Sequence, residues 1–153
     1  MPATRGLSLV STALRVSVAL AFVLAGVLKM RDPMAFAEQV ANYQLFPTLA
    51  NYVANTLPTI EITASLALLF GKGPLRHAGA VTLFALLGVF TTALVRAWAL
   101  GINLECGCFG VGSTQIGVWP VLRNMTLMTA VVLTVLLEPL PRKSAFATKP
   151  SLG

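Results

Sequence analysis

The two cysteines of the chain, Cys106 and Cys108, are separated only by Gly107. A disulfide needs its Cα atoms about 4.4–6.8 Å apart. Residues at this spacing can be joined only where the chain bends, and glycine permits the bend because it has no Cβ. Because the closed ring is so small, the disulfide would remove little entropy from the unfolded chain, and it would stabilise the fold only weakly. Because strained and exposed disulfides tend to be labile or catalytic, the spacing favours a redox-active pair.

Three other roles for these cysteines stay open. Buried packing is one, although a glycine-rich loop beside Glu105 disfavours burial. Metal ligation is another, but a closed zinc site takes four ligands, and the one histidine, His77, is expected on the opposite face of the membrane. We therefore expect no metal site within a single chain, and only a dimer would pool enough thiolates. The third role is a permanent bridge that shapes the loop.

Three charged residues are expected to support the cysteine pair. Arg96 precedes the cysteines and closes the third apolar run, while Arg123 follows them and lies one turn inside the fourth, so both should flank the loop. A nearby cation lowers the pKa of a thiol and raises its thiolate fraction, although anchoring at the membrane surface is the commoner role of such arginines. Glu61 lies near the middle of another apolar run, where a carboxylate usually faces the bundle interior. It would relay protons released by thiol oxidation or form a structural link, either protonated or paired with Lys29, Arg96 or Arg123.

The composition determines which elements can hold these residues. The 153 residues are 56% hydrophobic and only 10% charged, with a mean hydropathy of +0.81. Soluble domains carry roughly 25% charged residues, and a soluble fold of this length could not hide so much apolar surface. The net charge of +6 comes from single Lys and Arg residues between apolar runs. This pattern suits membrane flanks and excludes a nucleic-acid partner.

Four runs are long and apolar enough to span a bilayer, which takes about 20 residues. They cover roughly residues 9–28, 49–70, 78–94 (extending at most to 100) and 116–137. We therefore expect an all-α, polytopic membrane protein, with a single four-transmembrane-helix bundle over residues 1–138. A short, basic, disordered cytoplasmic tail is expected over 139–153. The first run continues to Lys29 and Arg31, as an uncleaved anchor does.

A short amphipathic helix is expected after the first span. Asp32 suits the N-cap and Pro33 the first helical position. Phe36, Val40 and Tyr43 then recur at near-helical spacing. A helix of this kind lies at the membrane interface.

The distribution of Lys and Arg predicts the orientation of the bundle. With the N-terminus inside, the cytoplasmic side holds Arg5, Arg15, Lys72, Arg76, Arg142, Lys143 and Lys149. The outer side holds Lys29, Arg31, Arg96 and Arg123. The excess of positive residues on the cytoplasmic side favours an orientation with both termini in the cytoplasm (N-in, C-in). The cysteine loop would then face the bacterial periplasm, outside the inner membrane, where disulfides form and persist.

Several segments together resemble the methylamine utilisation protein MauE family. They are AGVLKMRDPMAFAEQVANYQLFP (25–47), PTIE (58–61), ECGCFG (105–110) after the arginine at 96, and RN (123–124). The resemblance covers about residues 8–138 and implies the four-helix fold of the broader DoxX-like group. The residues of this chain that match the motif positions of the family are Lys29, Asp32, Pro33, Glu61, Arg96, Cys106, Cys108, Arg123 and Asn124.

The resemblance also implies a function and partners. MauE proteins are needed for maturation of the disulfide-rich, periplasmic small subunit of methylamine dehydrogenase, and are associated with a thioredoxin-like protein, MauD. We therefore expect a MauD-like partner, a secreted disulfide-containing substrate protein, and thiol–disulfide oxidoreductase-like chemistry at Cys106 and Cys108. No cofactor is evident; a quinone is one candidate electron acceptor, because the chain has no second cysteine pair.

Two other functions stay open from the sequence. In the first, the protein is a non-enzymatic membrane scaffold for protein assembly or export, and the bridge shapes a docking loop. In the second, it is a small transporter or metal-handling protein, in which Glu61, Arg96 and Arg123 line a polar path. Bound metal in purified protein would distinguish the second function, and a permanently oxidised bridge would distinguish the first.

Overall fold

The computed structural model describes residues 2–44, 47–101 and 117–137, and these parts of the chain are helical without any strand. The helices are α1 (Pro2–Arg31), α2 (Pro33–Asn42), α3 (Ala50–Phe70), α4 (Pro74–Ala99) and α5 (Val118–Leu136), with a 3-10 turn at Pro47–Leu49. The expected all-α class is confirmed. Cys106, Gly107, Cys108 and the tail 139–153 lie outside the described residues.

Four of the helices are long and apolar enough to cross a membrane: Ser8–Arg31 within α1, then α3, α4 and α5. Their outward faces carry large apolar side chains, such as Leu9, Val81 and Leu136, each exposed over at least two thirds of its surface. In water such a surface would drive aggregation, whereas in a bilayer it faces lipid. The predicted four-helix membrane protein is therefore confirmed.

Two helices begin earlier than the apolar pattern predicts. α1 is helical from Pro2, before the apolar run near residue 9, because a helix can extend through polar residues once it has formed. α4 starts at Pro74, before the expected residue 78, since proline is pre-organised for the first helical position. Gly73 precedes it with a φ of +53°, a left-handed conformation that glycine adopts without strain.

The four spanning helices form a closed ring in the order α1, α3, α4, α5, with α5 packing back on α1. The shared core is built from large side chains of all four helices. Its members include Val18, Phe22, Leu68, Leu83, Leu87 and Val131. Each spanning helix therefore has a face that points into the ring, where polar side chains from different helices can meet.

The backbones of α3 and α4 approach closely at Gly79. A Cβ there would lie 2.7 Å from the carbonyl oxygen of Ala64 and 2.8 Å from the backbone nitrogen of Leu68. Membrane helices associate through small residues in this way, because close backbone approach increases their van der Waals contact.

The expected amphipathic helix after the first span is confirmed as α2. The side-chain oxygen of Asp32 accepts a hydrogen bond from the Ala35 N–H at 3.0 Å, and Pro33 is the first helical residue. Phe36 and Ala37 are buried, and they pack with Ala54 of α3. α2 is therefore held against the bundle by its apolar face, and its N-cap stabilises its first turn.

Replacing Asp32 with alanine should destabilise the first turn of α2. Loss of an N-cap costs about 1 kcal/mol, because one helical N–H loses its acceptor. Unfolding of the purified protein in mixed detergent and SDS would measure the change. Glu38→Ala, on the exposed face of the same helix, is the matched control, and equal losses from both substitutions would contradict the capping role.

Candidate functional site

A buried ion pair joins α1 to α3. Nζ of Lys29 donates to Oε1 of Glu61 at 2.5 Å, and the two side chains are only 2% and 1% exposed. Of the three cationic partners that the sequence left open for Glu61, Lys29 is the one in contact. Ionisable groups inside a membrane bundle are costly to bury and mark functional or structural sites.

The local sequence explains why the two helices meet here. Pro58 lies one turn before Glu61, and it lacks the N–H that would bond the carbonyl of Ala54. Across from it, Gly26 precedes Lys29 by about one turn, and a Cβ at Gly26 would lie 3.1 Å from the Pro58 carbonyl oxygen. The absence of a side chain on α1 thus lets α3 come close enough for the pair to form.

Two aromatic rings surround the ammonium group of Lys29. Its Nζ lies 5.3 Å from the ring centroid of Phe36 on α2 and 4.9 Å from that of Phe90 on α4. Both distances fall within the range of a cation–π contact. The lysine therefore stays inside the bundle, although it lies in the last turn of α1, from which a lysine side chain usually extends toward water.

α4 and α5 add neutral polar groups to the same region. Asn124 is buried on α5, and its Nδ2 donates to Oγ1 of Thr91 on α4 at 3.4 Å. Asn124 also lines a cavity of about 20 Å³ together with Lys29 and Glu61. Each spanning helix thus contributes a buried polar side chain, and Asn124 belongs to the same site as the ion pair.

Sequence reasoning missed Thr91 and the two phenylalanine rings as members of this site. Thr91 also donates to the Leu87 carbonyl within its own helix, as threonines commonly do in membrane helices. Phe36 was expected only as part of an apolar face. Neither a lone threonine nor a phenylalanine in an apolar run signals a site by itself, so the sequence offered no way to find them.

The two arginines lie toward the segment that joins α4 to α5. Arg96 is exposed in the last turn of α4, and Arg123 is half-buried on α5, one position before Asn124. Consecutive helical residues point about 100° apart, so Asn124 faces the interior while Arg123 faces more outward. Because the cysteines lie outside the described residues, a joint site of these arginines with Cys106 and Cys108 stays a prediction.

Ser65 and Asp32 make hydrogen bonds to the backbone near the ion pair. Ser65 is buried one turn after Glu61, where its hydroxyl donates to the Glu61 carbonyl at 2.6 Å. Asp32 caps α2, and the helix it begins supplies Phe36 to Lys29. Among the described residues no group of three His, Cys, Asp or Glu side chains could hold a metal ion.

Comparison with known proteins identifies relatives of this chain. The family model for methylamine utilisation protein MauE matches residues 7–137. A curated relative, methylamine utilization protein MauE of Paracoccus denitrificans, is 39% identical over 126 residues, which are 80% of this chain and 66% of that protein. The match thus spans slightly less than two thirds of the relative's length. No solved structure matches the chain.

Proposed function

This chain belongs to the methylamine utilisation protein MauE family, and from this premise we propose that it assists thiol–disulfide chemistry in methylamine utilisation. The reacting groups are Cys106 and Cys108. The main support is that the two cysteines, which are separated by a single residue, lie within the region that the family model matches. The protein is a multi-pass membrane protein, and we assign it to the bacterial inner membrane with both termini in the cytoplasm.

The end of the bundle from which the cysteine segment begins has the character of a membrane surface. Tyr52 near the start of α3, Trp98 near the end of α4 and Trp119 near the start of α5 are all at least half exposed. Exposed Trp and Tyr residues of this kind form the aromatic belt at a membrane–water interface. The described residues on either side of the cysteine segment, Gly101 and Gly117, thus lie at a surface that a water-soluble partner can approach.

The proposed reaction is exchange with a thioredoxin-like protein. A thiolate of the reduced partner attacks one sulfur of a Cys106–Cys108 disulfide, whose S–S bond breaks as a mixed disulfide forms. The partner's second thiolate then displaces the cysteine pair, so two electrons and two protons pass from the partner dithiol to Cys106 and Cys108. Transfer of the same two electrons and protons to another disulfide or to a membrane quinone restores the bridge.

The flanking arginines support the proposal electrostatically. Arg96 and Arg123 belong to the helix ends on either side of the cysteine segment. Positive charge near a cysteine favours its thiolate, which is both the attacking and the leaving form in exchange. The final substrate would be a secreted disulfide-containing protein, such as the small subunit of methylamine dehydrogenase.

Trapping of the mixed disulfide tests this function. In whole cells quenched with acid and then alkylated, one of the variants Cys106→Ser and Cys108→Ser should accumulate a higher-mass adduct that reductant removes. A single variant cannot form the Cys106–Cys108 disulfide, but its remaining thiolate can attack the oxidised partner in the reverse of the proposed exchange. Without a second cysteine this chain cannot resolve the mixed disulfide that results, and mass spectrometry of the adduct identifies the partner. The double Cys→Ser variant is the control and should trap nothing. A wild-type pair that is wholly oxidised, with no adduct in either variant, would favour the scaffold function instead.

A further inference from the structure

The ion pair leaves hydrogen-bonding capacity unused inside the bundle. Oε1 of Glu61 accepts from Lys29, but Oε2 is buried and meets no hydrogen-bond partner among the described residues. The Lys29 ammonium carries three hydrogens, of which one lies on Glu61. A buried carboxylate oxygen without a partner is costly, particularly where no bulk water can reach it.

The small cavity beside the pair has the dimensions and lining of a water site. Its volume of about 20 Å³ exceeds the roughly 10–15 Å³ that a single water needs. The walls include polar groups of Lys29, Glu61 and Asn124, while the other lining residues are apolar. A buried water typically makes about three hydrogen bonds, and these three side chains can supply them.

Other occupants fit poorly. A cation would lie beside the positive charge of Lys29 and would need more oxygen ligands than Glu61 and Asn124 provide. A space of about 20 Å³ is also much smaller than a quinone ring. Water is therefore the ligand whose size and hydrogen-bonding chemistry match the cavity.

We propose that this cavity binds one water molecule, which donates to Oε2 of Glu61, and that Glu61 and this water form a proton-exchange site inside the bundle. Lys29 is the charged group that contacts Glu61; the other helices packed around the pair supply Phe36, Phe90 and Asn124. The water gives the carboxylate a second proton partner besides the ammonium. This site does not depend on the proposed thiol chemistry, and its test involves no cysteine.

Radiolytic hydroxyl labelling with mass spectrometry detects such a water, because radicals formed from it oxidise neighbouring side chains. Phe22 is the reporter, since it lines the cavity and is only 4% exposed. Leu83, which is fully buried and does not line the cavity, gives the background. In wild-type protein in lipid nanodiscs, Phe22 should be labelled several-fold above Leu83 after each rate is divided by the intrinsic hydroxyl-radical reactivity of its side chain. Asn124→Leu should bring the corrected Phe22 rate close to the background.

A second variant keeps this test decisive if Asn124→Leu does not fold. Ala21→Val adds two methyl groups to the cavity wall at a half-buried position, so it should also remove the Phe22 label. Background labelling of Phe22 in the wild type, or labelling that both variants leave unchanged, would overturn the water site.

Infrared spectroscopy tests the proton-exchange half of the proposal. The carboxylate band of Glu61 is obtained as the difference between wild type and Glu61→Gln. Soon after transfer into D₂O, this band should shift in the wild type, because deuterium reaches the hydrogens bonded to the carboxylate. Asn124→Leu or Ala21→Val should slow the shift, whereas a wild-type band that stays unchanged for hours would contradict exchange at this site.

Discussion

Lys29→Met should lower the free energy of unfolding by about 3–5 kcal/mol, which is the usual cost of removing one partner from a buried ion pair. Methionine keeps much of the length of the lysine side chain and can still pack between Phe36 and Phe90. The lost stability is therefore chiefly electrostatic, because the buried Glu61 must either stay charged without a counter-ion or take up a proton. Unfolding in mixed detergent and SDS would give the magnitude, and the amount of protein in membranes should fall with it.

The double variant Lys29→Met, Glu61→Gln separates charge from packing. With both charges gone, most of the lost stability should return, because no uncompensated charge is left in the bundle. Lys72→Met, in the exposed turn between α3 and α4, is the control for losing a lysine and should be nearly neutral. If the double variant were as unstable as the sum of its single substitutions, the pair would not be coupled, and the ionic interpretation would be wrong.

Gly79→Ala should destabilise the contact between α3 and α4 by about 1–3 kcal/mol, the usual cost of overpacking. The new Cβ would meet backbone atoms of Ala64 and Leu68 at 2.7 and 2.8 Å, and backbone cannot move aside as the end of a flexible side chain can. The helices would have to separate, which loses contacts along their whole shared face. The same unfolding measurement would detect the change.

Gly88→Ala provides a matched control within the same helix. Nothing lies within 4 Å of a Cβ at Gly88, so alanine there should be neutral or slightly stabilising, as expected from its higher helix propensity. An equal loss from both substitutions would show that the effect comes from the helix itself. The predicted contrast between the two glycines therefore tests the close approach of α3 and α4 directly.

The spanning helices were predictable because bilayer thickness imposes a length and an apolar character that composition reveals directly. The structure gives α3 as Ala50–Phe70, close to the expected 49–70. The start of α1 was harder to predict, because helix extension beyond the apolar run leaves no hydropathy signal. The cap at Asp32 and the start of α2 were predictable because both depend on local backbone chemistry.

The site was only partly predictable for a different reason. Glu61 was conspicuous, since a carboxylate in an apolar run carries a large energetic cost. Its choice of Lys29 over the two arginines depends on helix rotation and on the close approach at Gly26, which one sequence does not reveal. Thr91 and Asn124 are neutral, so neither is conspicuous in an apolar run. That both are buried and in contact is evident only from the packing of α4 against α5. The redox role of Cys106 and Cys108 stays a prediction.

The buried ion pair also has a consequence for how the protein enters the membrane during synthesis. α3 is less apolar than α1, with a mean hydropathy of 1.4 against 2.0, and a charged residue at the centre of an inserting helix costs about 2.5–3.5 kcal/mol. Lys29 and Glu61 are only 32 residues apart, on two successive spanning helices that leave the ribosome before α4 and α5. Lys29 of α1 can therefore pair with Glu61 of α3 at the insertion machinery before α4 and α5 have entered the membrane, so α1 assists the insertion of α3.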